Sequence, residues 1–233
     1  MIADVQVVLQ CGGSGERLRP LTDTLPKPLI PVGNEPMVER LLRQLVDAGF
    51  RRFTVITGHM GDQIQSYLRG VPDLPADMAL DFWQETTKRG NVGALADIPR
   101  SGRTMLLCFG DLVTELDFAE LVDRYESTDA EMLITTHVEE HRLQLGEVEA
   151  DGVTVNGYFE KPLKKFLICS GIALFESEIV EVLDRQKPAG IVDLVNGAIG
   201  AGRRVEHWEH GAAWMDVNSA ELLEQANGWL SQA

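Results

Sequence analysis

Apolar runs alternate with amphipathic stretches along the first half of the chain. Four runs have the length and character of buried strands, at residues 5–9, 53–57, 78–83 and 104–108. Between the first two, apolar residues recur with helical spacing at Val38, Leu41, Leu42, Leu45 and Val46. Gly49 follows as a helix stop, and a second, shorter helix is predicted at residues 60–68. This alternation is typical of an α/β fold, in which a mixed, mostly parallel sheet is flanked by helices.

The second half of the chain is less regular. Further strands are predicted at residues 130–136, 145–150, 153–155 and 167–175, and helices at residues 179–183, 191–201 and 219–230. The turn Ala150-Asp151-Gly152 predicts a hairpin, and Asn218 or Ser219 is expected to cap the last helix. With 233 residues, the chain is expected to form one domain that spans residues 1–233.

A glycine-rich turn directly after the first strand carries the strongest chemical signal. Gly12, Gly13 and Gly15 let the backbone approach an anion closely, and their N–H groups can point at phosphate oxygens. Two cations follow, Arg17 and Lys27, the second between two prolines. The spacing fits neither a P-loop nor the dinucleotide-binding fingerprint, and glycines alone are well explained by an ordinary turn. Glycines and cations together predict a polyphosphate site.

Composition and charge narrow the class of protein. The net charge of −15 disfavours nucleic-acid binding, which needs a basic surface. No apolar stretch has the length of a membrane span or the form of a signal peptide, so we expect no membrane association and a cytoplasmic location. Cys11, Cys108 and Cys169 lie far apart and form no Cys-x-x-Cys pair, which argues against zinc sites and disulfides.

Two aspartates are candidate metal ligands. Asp111 follows the strand at residues 104–108. It should face the same crevice as the glycine loop, because ligands bind beyond the carboxyl ends of parallel strands. A carboxylate there can bind Mg²⁺, which takes hard oxygen ligands and substrate phosphates, but a turn aspartate is equally compatible with the position. Asp216 precedes the last helix and is either a second metal ligand or a helix cap.

The segment from Leu9 to Val32 resembles the opening of the sugar-1-phosphate nucleotidyltransferases. Their pattern is approximately GGxGxRLxPLT…PKPLxPV, and the chain matches it at nearly every fixed position. The resemblance extends to about residue 226 and is to the mannose-1-phosphate guanylyltransferase and glucose-1-phosphate thymidylyltransferase types. It implies the Rossmann-like nucleotide-diphospho-sugar transferase fold. Residues up to about 125 would bind the nucleotide, and the remaining residues would bind the sugar phosphate. The resemblance implies no C-terminal β-helix in this chain and a possible homo-oligomer.

The resemblance also implies a reaction and its site residues. A sugar 1-phosphate attacks the α-phosphate of a nucleoside triphosphate in line, with Mg²⁺ bound, and pyrophosphate leaves. The implied catalytic residues are Arg17, Lys27, Asp111 and Lys161, and the implied metal ligands are Asp111 and Asp216. The implied nucleotide-binding residues are Leu9, Gln10, Cys11, Gly12, Gly13, Gly90, Asn91 and a base-reading Gln84 or Glu85. The implied sugar-phosphate-binding residues are Gly146, Glu160, Lys161 and Gly171.

Departures from the family pattern leave other functions open. Gln10-Cys11 replaces a pair of small residues, Cys169 replaces an asparagine, and the segment between Pro162 and Cys169 is short. One alternative is a non-sugar acceptor such as phosphocholine or a small phosphonate. Another is a catalytically silent paralogue that binds nucleotide sugars, although all the implied catalytic and metal residues are present. None of the five histidines lies in a matched motif, so they are expected at the surface or in structural positions.

Overall fold

Strands and helices alternate through most of the computed structural model, which describes residues 2–231. The strands are β1 (Gln6–Cys11), β2 (Pro31–Val32), β3 (Glu35–Pro36), β4 (Arg52–Thr57), β5 (Ala79–Gln84), β6 (Thr104–Phe109), β7 (Leu112–Thr114), β8 (Met132–Arg142), β9 (Glu147–Asp151), β10 (Thr154–Phe159), β11 (Leu163–Glu176), β12 (Val205–Glu209) and β13 (Trp214–Asp216). The α-helices are α1 (Met37–Asp47), α2 (Gly61–Arg69), α3 (Phe118–Glu126), α4 (Ile191–Gly200) and α5 (Ala220–Leu230). Short 3₁₀ helices lie at Ile2–Asp4, Glu16–Leu18, Leu21–Asp23, Lys27–Leu29, Gly93–Ala96 and Ser177–Val182.

The central sheet has seven strands in the order β12-β8-β11-β6-β1-β4-β5. Only β11 runs against its neighbours in this sheet, so the α/β prediction of a mixed, mostly parallel sheet is confirmed. Gln10 of β1 lies opposite Ile56 of β4 and Phe109 of β6. The loops after these three strands therefore open onto one edge of the sheet.

Helices cover both faces of the sheet and bury two apolar clusters. On one face, Leu41 of α1 packs in the same cluster as Phe53 of β4 and Phe118 of α3. On the other, Leu194 of α4 packs with Leu107 of β6. Burying a side chain of this size stabilises the fold by about 2 kcal/mol, and this explains why the periodic apolar positions predicted the helices well. None of the helices formed by residues 2–231 is both long enough and apolar enough to cross a membrane.

Most predicted elements are present, with shifted ends. Ser219 rather than Asn218 caps α5, its Oγ accepting a hydrogen bond from the Leu222 N–H. The helix predicted at residues 179–183 is wrong in type, because the segment Ser177–Val182 is a 3₁₀ helix. Helix α3, capped by Asp117, was not predicted. The strands predicted at 130–136 and 167–175 are longer than expected, as Met132–Arg142 and Leu163–Glu176.

The extra length of β8 and β11 forms a projection, residues 136–169, which we call the arm. Strand β12 pairs with β8 only from Met132 to Thr136, and β6 pairs with β11 only from Ala173 to Glu176. Beyond these points the two strands form a ribbon that runs from the Thr136–Cys169 pair to the Arg142–Leu163 pair. Six residue steps at roughly 3.3 Å give the ribbon a length of about 20 Å. The β9–β10 hairpin is connected at its far end.

Candidate active site

A cavity of about 510 Å³ opens at the carboxyl ends of β1, β5 and β6. The glycine loop, the turn after β6 and the start of β13 line it, and they bring Arg17, Lys27, Asp111 and Asp216 to one place. A second cavity of about 540 Å³ lies by the amino end of β6, with five carboxylates and a single arginine, Arg103, in its lining. That lining would repel phosphate, so the first cavity is the candidate active site.

The conformation of the glycine loop depends on two of its glycines. Gly15 has a φ of 65°, and a Cβ there would lie 2.7 Å from Thr22 Cγ2. Thr22 Oγ1 donates a hydrogen bond of 2.9 Å to the Gly15 carbonyl, which fixes the turn. A Cβ at Gly12 would lie 2.6 Å from Glu85 Oε2. The loop is thereby held open to the cavity, with the exposed Arg17 directly after it.

Lys27 is buried between two carboxylates. Its Nζ forms a short ion pair with Asp111 Oδ2 and lies 3.5 Å from Asp216 Oδ1. Pro26 and Pro28 fix the backbone on either side, and Lys27 begins a 3₁₀ turn. A lysine in this position is held rigidly with its charge facing the cavity.

The two aspartates meet because β7 and β13 pair with each other. Asp216 lies opposite Leu112, one residue after Asp111, and the Val217 N–H donates to the Asp111 carbonyl. Burial raises the pKa of Asp111, and the Lys27 ammonium opposes that shift. Asp216 Oδ1 is buried without a hydrogen-bond partner among residues 2–231. Two converging hard-oxygen carboxylates, one with an oxygen left unsatisfied, fit a divalent cation such as Mg²⁺.

Glu85 and Gln10 form the wall next to the glycines. Burial raises the pKa of Glu85, and a hydrogen bond from Gln10 opposes that shift. Glu85 Oε1 and Gln10 Oε1 are both buried without hydrogen-bond partners in the described part of the chain. Gln84 turns away from the cavity: its Nε2 donates to the Gly58 carbonyl, and its Oε1 accepts from Thr57. Of the two base-reading candidates, Glu85 is the one in the cavity lining.

The remaining residues expected at the nucleotide contribute in different ways. The side chains of Leu9 and Cys11 are buried beneath the loop, and a Cβ at Gly110 would overlap Cys11 Sγ. Gly13 and Gly90 line the cavity, and Gly90 packs so closely on Ala189 that a Cβ would not fit. Asn91 also lines it, but its Oδ1 accepts from the Ile191 N–H at the start of α4.

The wall opposite Glu85 contains one of the four residues expected at the sugar phosphate. Gly171 lies there, between Ser170 and the side chain of Phe109. The cavity lining does not include Gly146, Glu160 or Lys161, which lie on the arm. There, Gly146 packs against Tyr158, and the Tyr158 hydroxyl donates to Glu160 at 3.0 Å.

Comparison with known proteins identifies the family. The model of a family described as nucleotidyl transferase matches residues 6–232. The chain belongs to this family. The resemblance seen in the opening segment is therefore confirmed at the level of the family.

Several relatives of this nucleotidyl transferase are known. The low-salt glycan biosynthesis nucleotidyltransferase Agl11 of Haloferax volcanii is 26% identical, over 94% of this chain and 64% of its own length. The mannose-1-phosphate guanylyltransferase catalytic subunit beta of Drosophila pseudoobscura is 29% identical, over 91% of this chain and 58% of its own. The chain thus spans about three fifths of the curated relatives that it matches. The crystal structure of HddC from Yersinia pseudotuberculosis has the same fold, with a TM-score of 0.75, 23% identity and coverage of 97% of this chain and 99% of that one.

Two histidines of this nucleotidyl transferase lie behind the cavity wall, which the family motifs did not indicate. Ser170 Oγ is 2.8 Å from His137 Nδ1 and 2.8 Å from His210 Nε2. The His137 ring packs 4.5 Å from the ring of Trp214, whose Nε1 donates to the Ser170 carbonyl. Burial lowers the pKa of His210, which favours a neutral ring. The network holds the wall at Ser170 and Trp214, and only the pairing of β8 with β11 and β12 brings its members together.

Proposed function

We propose that this protein joins a nucleoside triphosphate and a sugar 1-phosphate into a nucleotide sugar and releases pyrophosphate. The observation that supports this most strongly is the convergence of Lys27, Asp111 and Asp216 beside the glycine loop. A buried lysine and two carboxylates next to a phosphate-binding turn suit the transfer of a phosphoryl group between anionic partners. The names of the curated relatives, which include guanylyl- and uridylyltransferases, agree with this reaction class.

In the proposed mechanism the chain positions the reactants and neutralises charge. Arg17 and Lys27 hold the triphosphate and stabilise the charge that develops on the α-phosphate and on the leaving pyrophosphate. The attacking oxygen belongs to a phosphate that is already anionic. No general base is therefore needed, in agreement with the structural positions of His137 and His210.

Asp111 and Asp216 would hold Mg²⁺, and their oxygens are the hard donors that this ion prefers. When bound, the ion would offset the negative charge of the phosphate groups. Lys161, supported by Glu160, would neutralise the phosphate of the incoming sugar. Gly146 and Gly171 would let that sugar approach the backbone.

Guanine is the base that the Glu85 wall suits best. A carboxylate with one unsatisfied buried oxygen seeks N–H donors, and guanine offers two adjacent ones, N1–H and the N2 amino group. Each of the other bases, which are uracil, thymine, cytosine and adenine, offers a single N–H donor group with an acceptor atom next to it. That acceptor atom would be repelled by a carboxylate. Gln10 can turn its amide to donate to guanine O6.

Pyrophosphate release in the presence of Mg²⁺ tests this proposal. Each nucleoside triphosphate is combined with mannose 1-phosphate, glucose 1-phosphate and phosphocholine in turn. We expect release with GTP and a sugar 1-phosphate. Release with phosphocholine alone would favour the non-sugar acceptor, and nucleotide binding without release from any pair would favour the silent paralogue.

A further inference from the structure

The arm presents an unusual amount of apolar surface to solvent. Eleven large apolar side chains on it are exposed, more than anywhere else in residues 2–231: Val138, Leu143, Leu145, Val148, Val153, Val155, Tyr158, Phe159, Leu163, Phe166 and Leu167. On the face of the ribbon formed by alternate residues, Val138 pairs with Leu167, and the neighbouring Glu140–Lys165 pair is joined by an ion pair of 2.7 Å. Exposed apolar side chains in this number, concentrated on one part of the molecule, are typical of an interaction site.

The lysine proposed to bind the acceptor phosphate lies at the far end of this arm. Lys161 follows β10, beyond about 20 Å of ribbon measured along the chain from Cys169, and the cavity lining does not include it. Its ammonium has no ion pair among the described residues, whereas Lys164 and Lys165 are paired with Glu147 and Glu140. Its backbone has a φ of 46°, a left-handed conformation that is uncommon outside glycine and concentrates at functional sites.

The cavity itself lacks a cation where the acceptor should bind. Its positive side chains are Arg17, Lys27, Lys88 and Arg89, which come from the loops after β1 and β5. Strand β11 lies on the other side of β6. The cavity wall there is formed by Cys169, Ser170, Gly171 and Trp214, and within residues 2–231 it contains no positively charged side chain. A sugar phosphate bound against this wall would have no cation of its own.

We infer that the arm of one protomer completes the cavity of a second copy of this chain and supplies Lys161 and Glu160 to it. The inference rests on the proposed function for the role of these two residues. In a two-fold dimer the arm of each copy would lie against the incomplete cavity of the other, so that both arms are covered and both cavities are completed.

Cross-linking tests the geometry without any need for activity. Cys169 is exposed at the cavity wall, and Cys11 and Cys108 are buried. In Lys161→Cys, a short bis-maleimide should join residue 161 of one copy to Cys169 of the other and give a covalent dimer. Adding Cys169→Ser should abolish that dimer, and Asp129→Cys, exposed beside the other cavity at the amino end of β6, should not form it. An intramolecular cross-link, or no cross-link, would overturn the inference.

Heterodimers test the functional consequence once the wild type is active. A Lys161→Ala subunit and an Arg17→Ala subunit, co-expressed with different tags and purified through both, should form one intact site per dimer. Turnover should then recover to about half that of the wild type, while each variant alone is inactive. A heterodimer of Arg17→Ala with Asp111→Asn has both defects in the cavity and should stay inactive. A covalent dimer of Lys161→Cys, together with a wild type that releases no pyrophosphate, would refute only the proposed reaction, whereas an active wild type without recovery in the heterodimer would refute only the shared site.

Discussion

The nucleotide side of the cavity and the arm differ in how their side chains are held. On the nucleotide side, Lys27, Asp111 and Glu85 lie in the connections that follow strands of the central sheet, and each contacts a neighbouring side chain. On the arm, Lys161 and Glu160 project from a two-stranded ribbon whose outer part has no third strand among the described residues. Groups built on packed elements can be positioned more accurately than groups on exposed loops. In the proposed mechanism, packed elements therefore position the reacting phosphates, and residues on the exposed ribbon recognise the acceptor.

Loss of Lys27 should destabilise the nucleotide side of the cavity more than any other substitution considered below. In Lys27→Met the partly buried carboxylates of Asp111 and Asp216 lose their shared cation, and we expect the free energy of unfolding to fall by about 3 kcal/mol. Burial already raises the pKa of Asp111, and removing Lys27 removes the main opposing interaction. The native state would then bind a proton more tightly than the unfolded chain. Stability of the variant should therefore decline as pH rises through the native pKa of Asp111.

Urea unfolding at several pH values measures this effect. Lys187→Met is the matched control, because Lys187 pairs with Asp184 on an exposed loop. A Lys27 variant as stable as its control, at every pH, would show that the buried cation has no structural role.

Loss of Arg17 should affect turnover and leave the fold intact. Arg17 is exposed and has no ion pair within residues 2–231, so its charge is available to the triphosphate. Removing one cation that stabilises a transition state costs about 3 kcal/mol, so kcat of Arg17→Ala should drop roughly a hundredfold or more. Arg19→Ala, two residues away and paired with Asp23, is the control. Equal turnover in the two variants would remove Arg17 from the mechanism.

Replacing Glu85 should alter the choice of base more than the rate. In Glu85→Gln one acceptor oxygen becomes a donor, so the preference for GTP over UTP in kcat/KM should fall about tenfold, or about 1.4 kcal/mol. Because burial raises the pKa of Glu85, the wild type should also lose its preference for GTP on acidification, as the carboxylate takes up a proton.

Competition between the two nucleotides at several pH values measures both effects. The Gln variant should show no such loss with pH. Gln84→Ala, whose side chain bonds to Thr57 and Gly58 outside the cavity, should keep the wild-type ratio. An unchanged ratio in Glu85→Gln would assign base recognition to another residue.

The smallest effect is expected at the tip of the arm. Val153 is fully exposed, so Val153→Ala should change the free energy of unfolding by less than about 0.5 kcal/mol. The reference is Leu42→Ala in α1, where a side chain with 0% exposure is removed and the cost should be about 2–5 kcal/mol. Denaturation of both variants measures the contrast. A large loss at Val153 would mean that the tip is covered in solution.

The sequence predicted the nucleotide side of the cavity well for a physical reason. Strands β1, β4 and β6 are buried over nearly all of their length, as β1 is throughout Gln6–Cys11, and continuous apolar runs identify such strands. The glycines and Lys27 lie close together along the chain and carry their own signal. Helix α3 could also have been found, because Asp117 precedes Phe118, Leu121 and Val122 at helical spacing.

The arm and the histidine network could not be predicted in the same way. The outer part of β8 contains His137, Glu139 and His141 among exposed neighbours, so no apolar pattern marks it as a strand. It is a strand only because β11 pairs with it. The contacts of Ser170 with His137 and His210 depend on that pairing and on the position of β12, which local sequence does not encode.

The close packing of Cys11 beneath Gly110 also has an evolutionary consequence. A side chain at residue 110 would overlap the Cys11 sulfur, so the two positions are epistatic. Gly110→Ala alone should be selected against, yet the same change could be accepted in a background that already carries glycine at residue 11. Residue 110 can therefore gain a side chain only after residue 11 has lost its own, which fixes the order of the two substitutions.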